Sequence, residues 1–147
     1  MSSSSVCWLS LDGGGIRGLS ELLIMEEIME RVKKDLNMTD DPLPADFFDV
    51  IGGTSTGGLI ALLLGRLRLS VPEARKVCLA IGQEVFSIPH RGLSRAKFDG
   101  AKLEQQMKKA IQDKCGGSYE EKMLDHSKDS CKTFVCAVSS KNVGART

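Results

Sequence analysis

The sequence predicts an α/β fold built on a mostly parallel sheet. Short apolar segments typical of strands alternate with longer segments of helical period, which is the pattern of strand–helix–strand units. The first two strands each run into a glycine-rich turn, at residues 12–15 and 52–58, before a helix begins. A third strand lies near residue 135, and a typical sheet has roughly five strands. We therefore expect a sheet that is truncated at the carboxyl end of this chain.

Composition and charge narrow the class of protein. The 147 residues are 41% hydrophobic and 27% charged with a net charge of +1, which is ordinary for a globular domain and does not suggest nucleic-acid binding. The longest apolar run, residues 59–64, is too short for a transmembrane segment, and no signal peptide precedes it. Five scattered cysteines without CxxC spacing indicate neither a disulfide framework nor a zinc site. We predict a cytoplasmic protein without metal or cofactor, in which residues 1–5 are a disordered polar tail and residues 6–147 form one incomplete domain.

The elements of the first half follow in order. Residues 6–11 form the first strand, with Trp8 expected in the core, and the glycine turn ends it. The helix from about Leu19 has an apolar stripe at three- and four-residue intervals. This stripe comprises Leu22, Met25, Met29, Val32 and Leu36. A loop over residues 37–44 leads to a buried strand that ends at Gly52–Gly53. The helix after Ser55 is apolar around most of its circumference, so we expect it in the middle of the fold.

Two more helices and a last strand follow. Ser70 and Glu73 match a capping box, in which the Ser70 hydroxyl accepts from the Glu73 amide and the Glu73 side chain reaches back. After this helix come a basic loop over residues 88–97 and a helix that stops at residues 116–117. Residues 133–138 are the third predicted strand.

The segment from Gly52 to Gly58 contains G-x-S-x-G between a strand and a helix, the setting of a nucleophile elbow. Such a turn holds the serine in a strained backbone conformation, which needs small neighbours. The candidate nucleophile is Ser55, and the elbow residues around it are Gly53, Thr54, Thr56 and Gly57. The following helix would direct the positive end of its dipole at an alkoxide or oxyanion.

The segment from Asp12 to Gly18 carries three consecutive glycines at the first strand-to-helix junction. Glycine N–H groups can point into one concavity and bind an anion, here the oxygen of a tetrahedral intermediate. The residues predicted to form this oxyanion hole are Gly13, Gly14, Gly15, Arg17 and Gly18. Arg17 would fix the loop or meet an anionic head group.

Two nucleotide-binding alternatives compete for the same glycines. Residues 13–18 match the dinucleotide fingerprint G-x-G-x-x-G, but the acidic residue required at the end of a second strand is missing at the expected distance. A Walker P-loop would need a lysine where Leu19 stands. The sequence therefore favours the acyl-transfer interpretation.

Taken together, DGGGIRG at 12–18 and GTSTGG at 53–58 closely resemble the motifs of the patatin-like phospholipase family, and the resemblance extends over about residues 6–138. It implies a three-layer α/β/α fold and hydrolysis of lipid acyl esters by a Ser–Asp dyad. It also implies a lipid or phospholipid substrate, met at a membrane or lipid-droplet surface by a peripherally bound protein. The oligomeric state stays open.

The resemblance also implies a catalytic aspartate in a downstream D-G-[GA] motif, which residues 1–147 do not supply. Asp99-Gly100-Ala101 spells D-G-A, but it opens an amphipathic helix and follows Ser55 too soon, so we interpret it as a coincidence. His90 and His126 are interpreted as surface residues. The segment alone is expected to be inactive or weakly active. The alternative functions are a non-catalytic patatin-like protein that binds lipid or a partner and, less favoured, a phosphate or dinucleotide binder.

Overall fold

The computed structural model describes residues 5–85, 100–116, 122–123 and 130–137, and it contains a parallel three-stranded sheet in the order β1-β2-β3. In chain order the elements are β1 (Trp8–Leu11), a 3₁₀ turn (Gly15–Arg17), α1 (Gly18–Asp35), a 3₁₀ turn (Pro44–Asp46), β2 (Val50–Thr54), α2 (Thr56–Ala61), a π-helical turn (Leu62–Arg66), α3 (Val71–Val85), α4 (Gly100–Cys115) and β3 (Lys132–Cys136). The predicted α/β class with a parallel sheet is confirmed.

The register of the sheet aligns the carboxyl ends of its strands. Leu11 of β1 pairs with Gly53 of β2, and Thr54 pairs with Cys136 of β3. The strand order equals the chain order, and crossovers between parallel strands are right-handed, so both connections pass over the same face of the sheet. The described helices cover that face, with α2 directly on the strands.

Alternation along β1 decides which side chains enter the core. Leu11 is buried and Leu9 packs against the core cluster, on the face that the helices cover. Trp8 and Ser10 point to the other face, where Trp8 is 68% exposed and Phe134 of β3, which lies over Gly52, is 47% exposed. The expectation that Trp8 lies in the core is therefore wrong, because the two-residue period of a strand places it opposite to Leu9 and Leu11.

The helix after Ser55 lies in the middle of the fold, as predicted. Four of the apolar residues that follow Ser55 are fully buried: Ile60, Ala61, Leu63 and Leu64. The helix does not remain α-helical, since its end widens into the π-helical turn and the Leu67 N–H bonds to the Leu62 carbonyl at 2.9 Å. In this turn Gly65 lies against Ile51 of β2 and Thr133 of β3.

Helix α1 buries the first part of its predicted stripe, Leu22, Met25 and Met29, against α2 and α3. Leu36 is 59% exposed, which corrects its assignment to the stripe. It follows the last helical residue, and the chain then turns at Asn37, which has φ 51°. The Met38 N–H bonds to the Lys33 carbonyl at 2.9 Å, which closes a Schellman motif.

Helix α3 begins with the predicted side-chain reach from Glu73, although the pairing differs in detail. One Glu73 carboxylate oxygen accepts from the Ser70 N–H at 2.8 Å and from the Ser70 hydroxyl at 3.0 Å. The hydroxyl thus donates to the carboxylate instead of accepting from the Glu73 amide. The bond from the Ser70 N–H is the main reason that the pKa of Glu73 lies below its ordinary value.

The third strand ends at Cys136, while Val138 and the basic loop over residues 88–97 lie outside the described residues.

Candidate active site

Ser55 occupies the single residue between the end of β2 and the start of α2. Its backbone has φ 53° and ψ −125°, in the left-handed half of conformational space that residues with a side chain rarely adopt. Such a conformation costs about 1–3 kcal/mol and persists only where the surroundings enforce it. Here the strand before it and the helix after it do so, since the Ser55 carbonyl already accepts the first helical bond, from Leu59, at 3.1 Å. The Ser55 side chain is left exposed at the edge of the sheet.

The elbow depends on close backbone approach at two glycines. A Cβ on Gly53 would lie 2.5 Å from the Gly57 backbone and 2.7 Å from the Leu11 carbonyl oxygen. A Cβ on Gly57 would collide with the Leu11 and Asp12 carbonyl groups. These distances are far below normal van der Waals contact, so α2 can approach β1 and β2 this closely only with glycine at both positions.

The two glycine motifs meet at Ser55. A Cβ on Gly13 would lie 2.8 Å from the Ser55 Cβ, 3.1 Å from the Thr54 carbonyl oxygen and 3.5 Å from the Ser55 Oγ. The register explains this contact, because Leu11 and Gly53 are partners and the chain leaves both strands at the same edge of the sheet. The triple-glycine loop is therefore directly beside the Ser55 hydroxyl.

The rest of the loop turns away from β1 into α1. Gly15 has φ 62° and begins the 3₁₀ turn, and the Arg17 N–H bonds to the Gly14 carbonyl at 3.3 Å. The Arg17 side chain lies over Gly14, with its Cβ only 3.2 Å from where a Gly14 Cβ would be. Gly18 packs against the Thr56 methyl group, at 2.6 Å from its would-be Cβ, and this contact joins the start of α1 to the start of α2.

A nucleophile elbow normally draws its oxyanion donors from the residue after the serine and from a loop after a neighbouring strand. In this chain Thr56 and the loop at Gly13–Gly14 occupy those two positions. The backbones of both segments therefore lie beside the Ser55 side chain. Such a site can stabilise negative charge on an oxygen bonded to a carbon that Ser55 attacks.

Sequence reasoning missed one residue beside this loop, Glu21 in the first turn of α1. Burial raises the pKa of its carboxyl above the ordinary value of 4.5, a hydrogen bond from the Asp12 backbone N–H lowers it, and the Asp12 charge raises it. Its Oε2 atom is buried without a hydrogen-bond partner among the described residues. The sequence offered one signal for this burial: Glu21 directly precedes Leu22, the first residue of the predicted apolar stripe.

Other candidate residues do not enter this site. Asp99, His90 and His126 lie outside the described residues. A cavity of about 470 Å³ is lined by residues 45–50 and 130–132, at the amino-terminal ends of β2 and β3 and thus at the far end of the strands from Ser55. Within the described ranges, no three His, Cys, Asp or Glu side chains form a group that could hold a metal ion. None of the helices described is both long and apolar enough to cross a membrane.

Comparison with known proteins identifies the family of this chain. The family model of patatin-like phospholipases matches residues 9–143. Patatin-17 of Solanum cardiophyllum is 35% identical over 109 residues, which cover 70% of this chain and 28% of that protein. The Solanum tuberosum protein named probable inactive patatin-3-Kuras 1 is 34% identical over 109 residues, covering 70% of this chain and 29% of that protein.

Patatin-T5 of Solanum tuberosum is 50% identical over a shorter stretch of 56 residues, which cover 38% of this chain and 14% of that protein. The chain thus spans less than a third of the length of these relatives. The family match covers most of the chain, including both glycine motifs. The chain belongs to the patatin-like phospholipase family.

Proposed function

We propose that the intact protein hydrolyses acyl esters of lipids, with Ser55 as the nucleophile and the loop at Gly13–Gly18 as the oxyanion hole. The observation that carries this proposal is the contact between Gly13 and Ser55, with the Ser55 Oγ 3.5 Å from where a Gly13 Cβ would be. The strained Ser55 backbone supports it, because strain of this kind is concentrated at functional sites.

The reaction proceeds through an acyl-enzyme. The Ser55 Oγ attacks the ester carbonyl carbon while a carboxylate takes the hydroxyl proton, and the carbonyl oxygen becomes an oxyanion held by backbone N–H groups. Collapse of this intermediate breaks the bond to the alcohol, which leaves with the proton. Water, deprotonated by the same carboxylate, then attacks the acyl-enzyme and releases the fatty acid and free Ser55.

The carboxylate belongs to an aspartate that we expect in a D-G-[GA] motif outside residues 1–147. We do not assign the role of this base to Asp99. Without the base, the Ser55 hydroxyl keeps its proton and is a weak nucleophile. The segment 1–147 by itself is therefore expected to be inactive or to react slowly.

The substrate is a lipid or phospholipid in a membrane or lipid-droplet surface, to which a cytoplasmic protein attaches peripherally. Three apolar side chains of α1, Leu23, Ile24 and Ile28, are exposed in the first three turns after the glycine loop. Exposed apolar side chains on this helix would favour contact with acyl chains. The net charge of +1 provides little electrostatic attraction to anionic lipids.

The test is covalent labelling with a fluorophosphonate, followed by peptide mass spectrometry. The full-length product of the gene should be modified at Ser55 and should lose esterase activity in step. Ser55→Ala should abolish both, whereas Ser20→Ala, which removes an exposed serine of α1, should change neither. A folded full-length protein that releases no fatty acid from lipid vesicles and is not labelled at Ser55 would contradict the proposal.

That outcome would favour the second candidate, a non-catalytic patatin-like protein that binds lipid or a partner. The observation behind it is the relative named probable inactive, which is about as similar to this chain as Patatin-17 is. Similarity over this region therefore does not by itself indicate activity. A dinucleotide binder is disfavoured, because β2 ends at Thr54, where the fingerprint requires an acidic residue. Thermal stabilisation by a dinucleotide would revive it.

A further inference from the structure

We propose that Asp49 is a positioning residue that fixes the register of β1 against β2 and thereby keeps the glycine loop at Ser55. Its carboxylate and its backbone N–H hold both backbone polar groups of Cys7, at the end of the strands opposite to the elbow. The effect on reactivity rests on the proposed function, whereas the effect on the register does not.

Asp49 and Cys7 lie just before β2 and β1 and bond to each other twice. The Asp49 Oδ2 atom accepts from the Cys7 N–H at 2.7 Å, and the Asp49 N–H donates to the Cys7 carbonyl oxygen at 2.9 Å. The Asp49 carbonyl oxygen accepts from the N–H of Lys132, the first residue of β3, at 2.8 Å. One residue thus joins the amino-terminal ends of all three strands of the described sheet.

The carboxylate continues the pairing of β1 and β2 beyond the ladder. The Cys7 N–H lies one residue before the first ladder pair, Trp8 with Val50, and its acceptor is a side chain. A charged acceptor holds a backbone N–H more tightly than a neutral one. Both residues are exposed, so water competes for the bond, and we expect its effect at the lower end of the range for charged acceptors, about tenfold in an equilibrium.

The side chains of the two strands specify their register only weakly. Two of the four β2 residues opposite β1 are glycines, since Ser10 pairs with Gly52 and Leu11 with Gly53. Contacts between opposed side chains, which stabilise a given register, are therefore confined to the other two pairs. Glycine-rich strands are prone to slip for this reason. A bond that fixes one pair of residues at the amino-terminal end fixes the alignment of the whole strand.

A change of register would separate the two glycine motifs. Sliding β1 by one residue would turn its buried face to the open side of the sheet, and sliding it by two would move the strand by about 6.6 Å. The elbow depends on the present alignment, because Gly57 packs against the carbonyl groups of Leu11 and Asp12, and Gly13 contacts Ser55. Asp49 therefore acts on Ser55 from the far end of the strands, through the alignment of β1.

Variants of the full-length protein separate the hydrogen bond from other effects of the side chain. Asp49→Asn keeps an oxygen that accepts from the Cys7 N–H, whereas Asp49→Leu has a similar size and removes the acceptor. Asp113→Leu is the control, because Asp113 is an exposed residue of α4. Each protein is studied by thermal unfolding, by hydrogen exchange with peptide mass spectrometry and by fluorophosphonate labelling of Ser55.

In Asp49→Leu we expect amide exchange over residues 7–11 to accelerate about tenfold, the effect of losing the bond to the carboxylate. Exchange over residues 22–29 of α1 should stay within about twofold of the parent, since only a general loss of stability would accelerate both segments. Labelling of Ser55 in the folded protein should slow about tenfold, because a small displacement in a catalytic site is costly. Asp49→Asn and Asp113→Leu should stay within about threefold of the parent in both measurements.

The proposal is overturned if folded Asp49→Leu exchanges over residues 7–11 like the parent, if it is labelled at Ser55 as fast as a labelled parent, or if Asp49→Asn behaves like Asp49→Leu. Where Asp49→Leu does not fold, Asp49→Ala takes its place with the same expected results. Failure of the proposed function is a separate outcome: the parent would not be labelled at Ser55, while the exchange comparison would still decide whether Asp49 holds β1.

Discussion

Adding one methyl group at Gly13 tests whether the contact between the two glycine motifs matters for reactivity. In Gly13→Ala the new Cβ would lie 2.8 Å from the Ser55 Cβ and 3.1 Å from the Thr54 carbonyl oxygen. Carbon atoms normally approach to about 3.5 Å, so the loop and the elbow must separate by roughly 0.7 Å. A displacement of this order in a catalytic site costs about 10²-fold in rate.

Forcing this methyl group into the contact should cost about 1–3 kcal/mol of stability, and no backbone strain adds to it, because the φ of Gly13 is not in the left-handed region. Gly82→Ala is the matched control: a Cβ there meets nothing within 4 Å, and replacing a glycine in a helix should stabilise the protein by about 0.5–1 kcal/mol.

The assay compares the rate of fluorophosphonate labelling at Ser55 with the melting temperature for both variants of the full-length protein. We expect Gly13→Ala to lose about 10²-fold in labelling with only a modest fall in melting temperature. Gly82→Ala should label like the parent and melt higher. Parental labelling in a folded Gly13→Ala protein would refute the role of this contact. A large fall in melting temperature would mean that the loop serves stability instead.

Three further predictions concern strain, protonation and thiol reactivity. Ser55→Gly should relieve the positive φ and stabilise the chain toward urea by about 1 kcal/mol, whereas Ser55→Ala should not; equal effects would contradict strain at this residue. Because the pKa of Glu73 is lowered in the folded state, its carboxylate stabilises the fold above its ordinary pKa of 4.5, and this contribution is lost as the pH falls through the lower folded value. Glu73→Gln should therefore cost about 0.5 kcal/mol at pH 7, a small amount because the side chain is exposed, and urea titrations of the two proteins should converge below that pH range. Burial raises the pKa of the Cys78 thiol to about 11. Iodoacetamide at pH 7.5 should therefore alkylate Cys78 more than about a hundredfold slower than a free cysteine thiol, as measured by peptide mass spectrometry. Comparable rates would contradict its burial.

Local signals in the sequence were enough to place several parts of the fold. The alternation of strand, glycine turn and helix predicted a parallel α/β sheet. In such units the apolar residues are spaced with a period of two in the strand and of about 3.6 in the helix that follows. The same signals located Ser55 at a strand-to-helix junction and predicted the buried helix after it. The predicted reach of Glu73 to Ser70 is present because a capping interaction involves residues only three apart.

The errors share one cause. Trp8 is an apolar residue of a strand and Leu36 is apolar at the period of its helix, but whether a position is covered depends on which elements pack against it. The crossovers of the described strands place both connections over one face of the sheet, and Trp8 is on the other. The burial that raises the pKa of Glu21 was likewise not predictable from the sequence, because a glutamate in a first helical turn is usually a solvated residue favoured by the helix dipole.

The sequence by itself determined the order of the elements, the two glycine motifs and the family, since all of these depend on residues that are near each other in the chain or on their fixed order. Only the tertiary structure decided that Leu11 pairs with Gly53 and that Gly13 therefore lies against Ser55. The physical reason is that register and packing are set by contacts between residues about forty positions apart in the chain. These contacts depend on distance in space and produce no periodic pattern in the sequence.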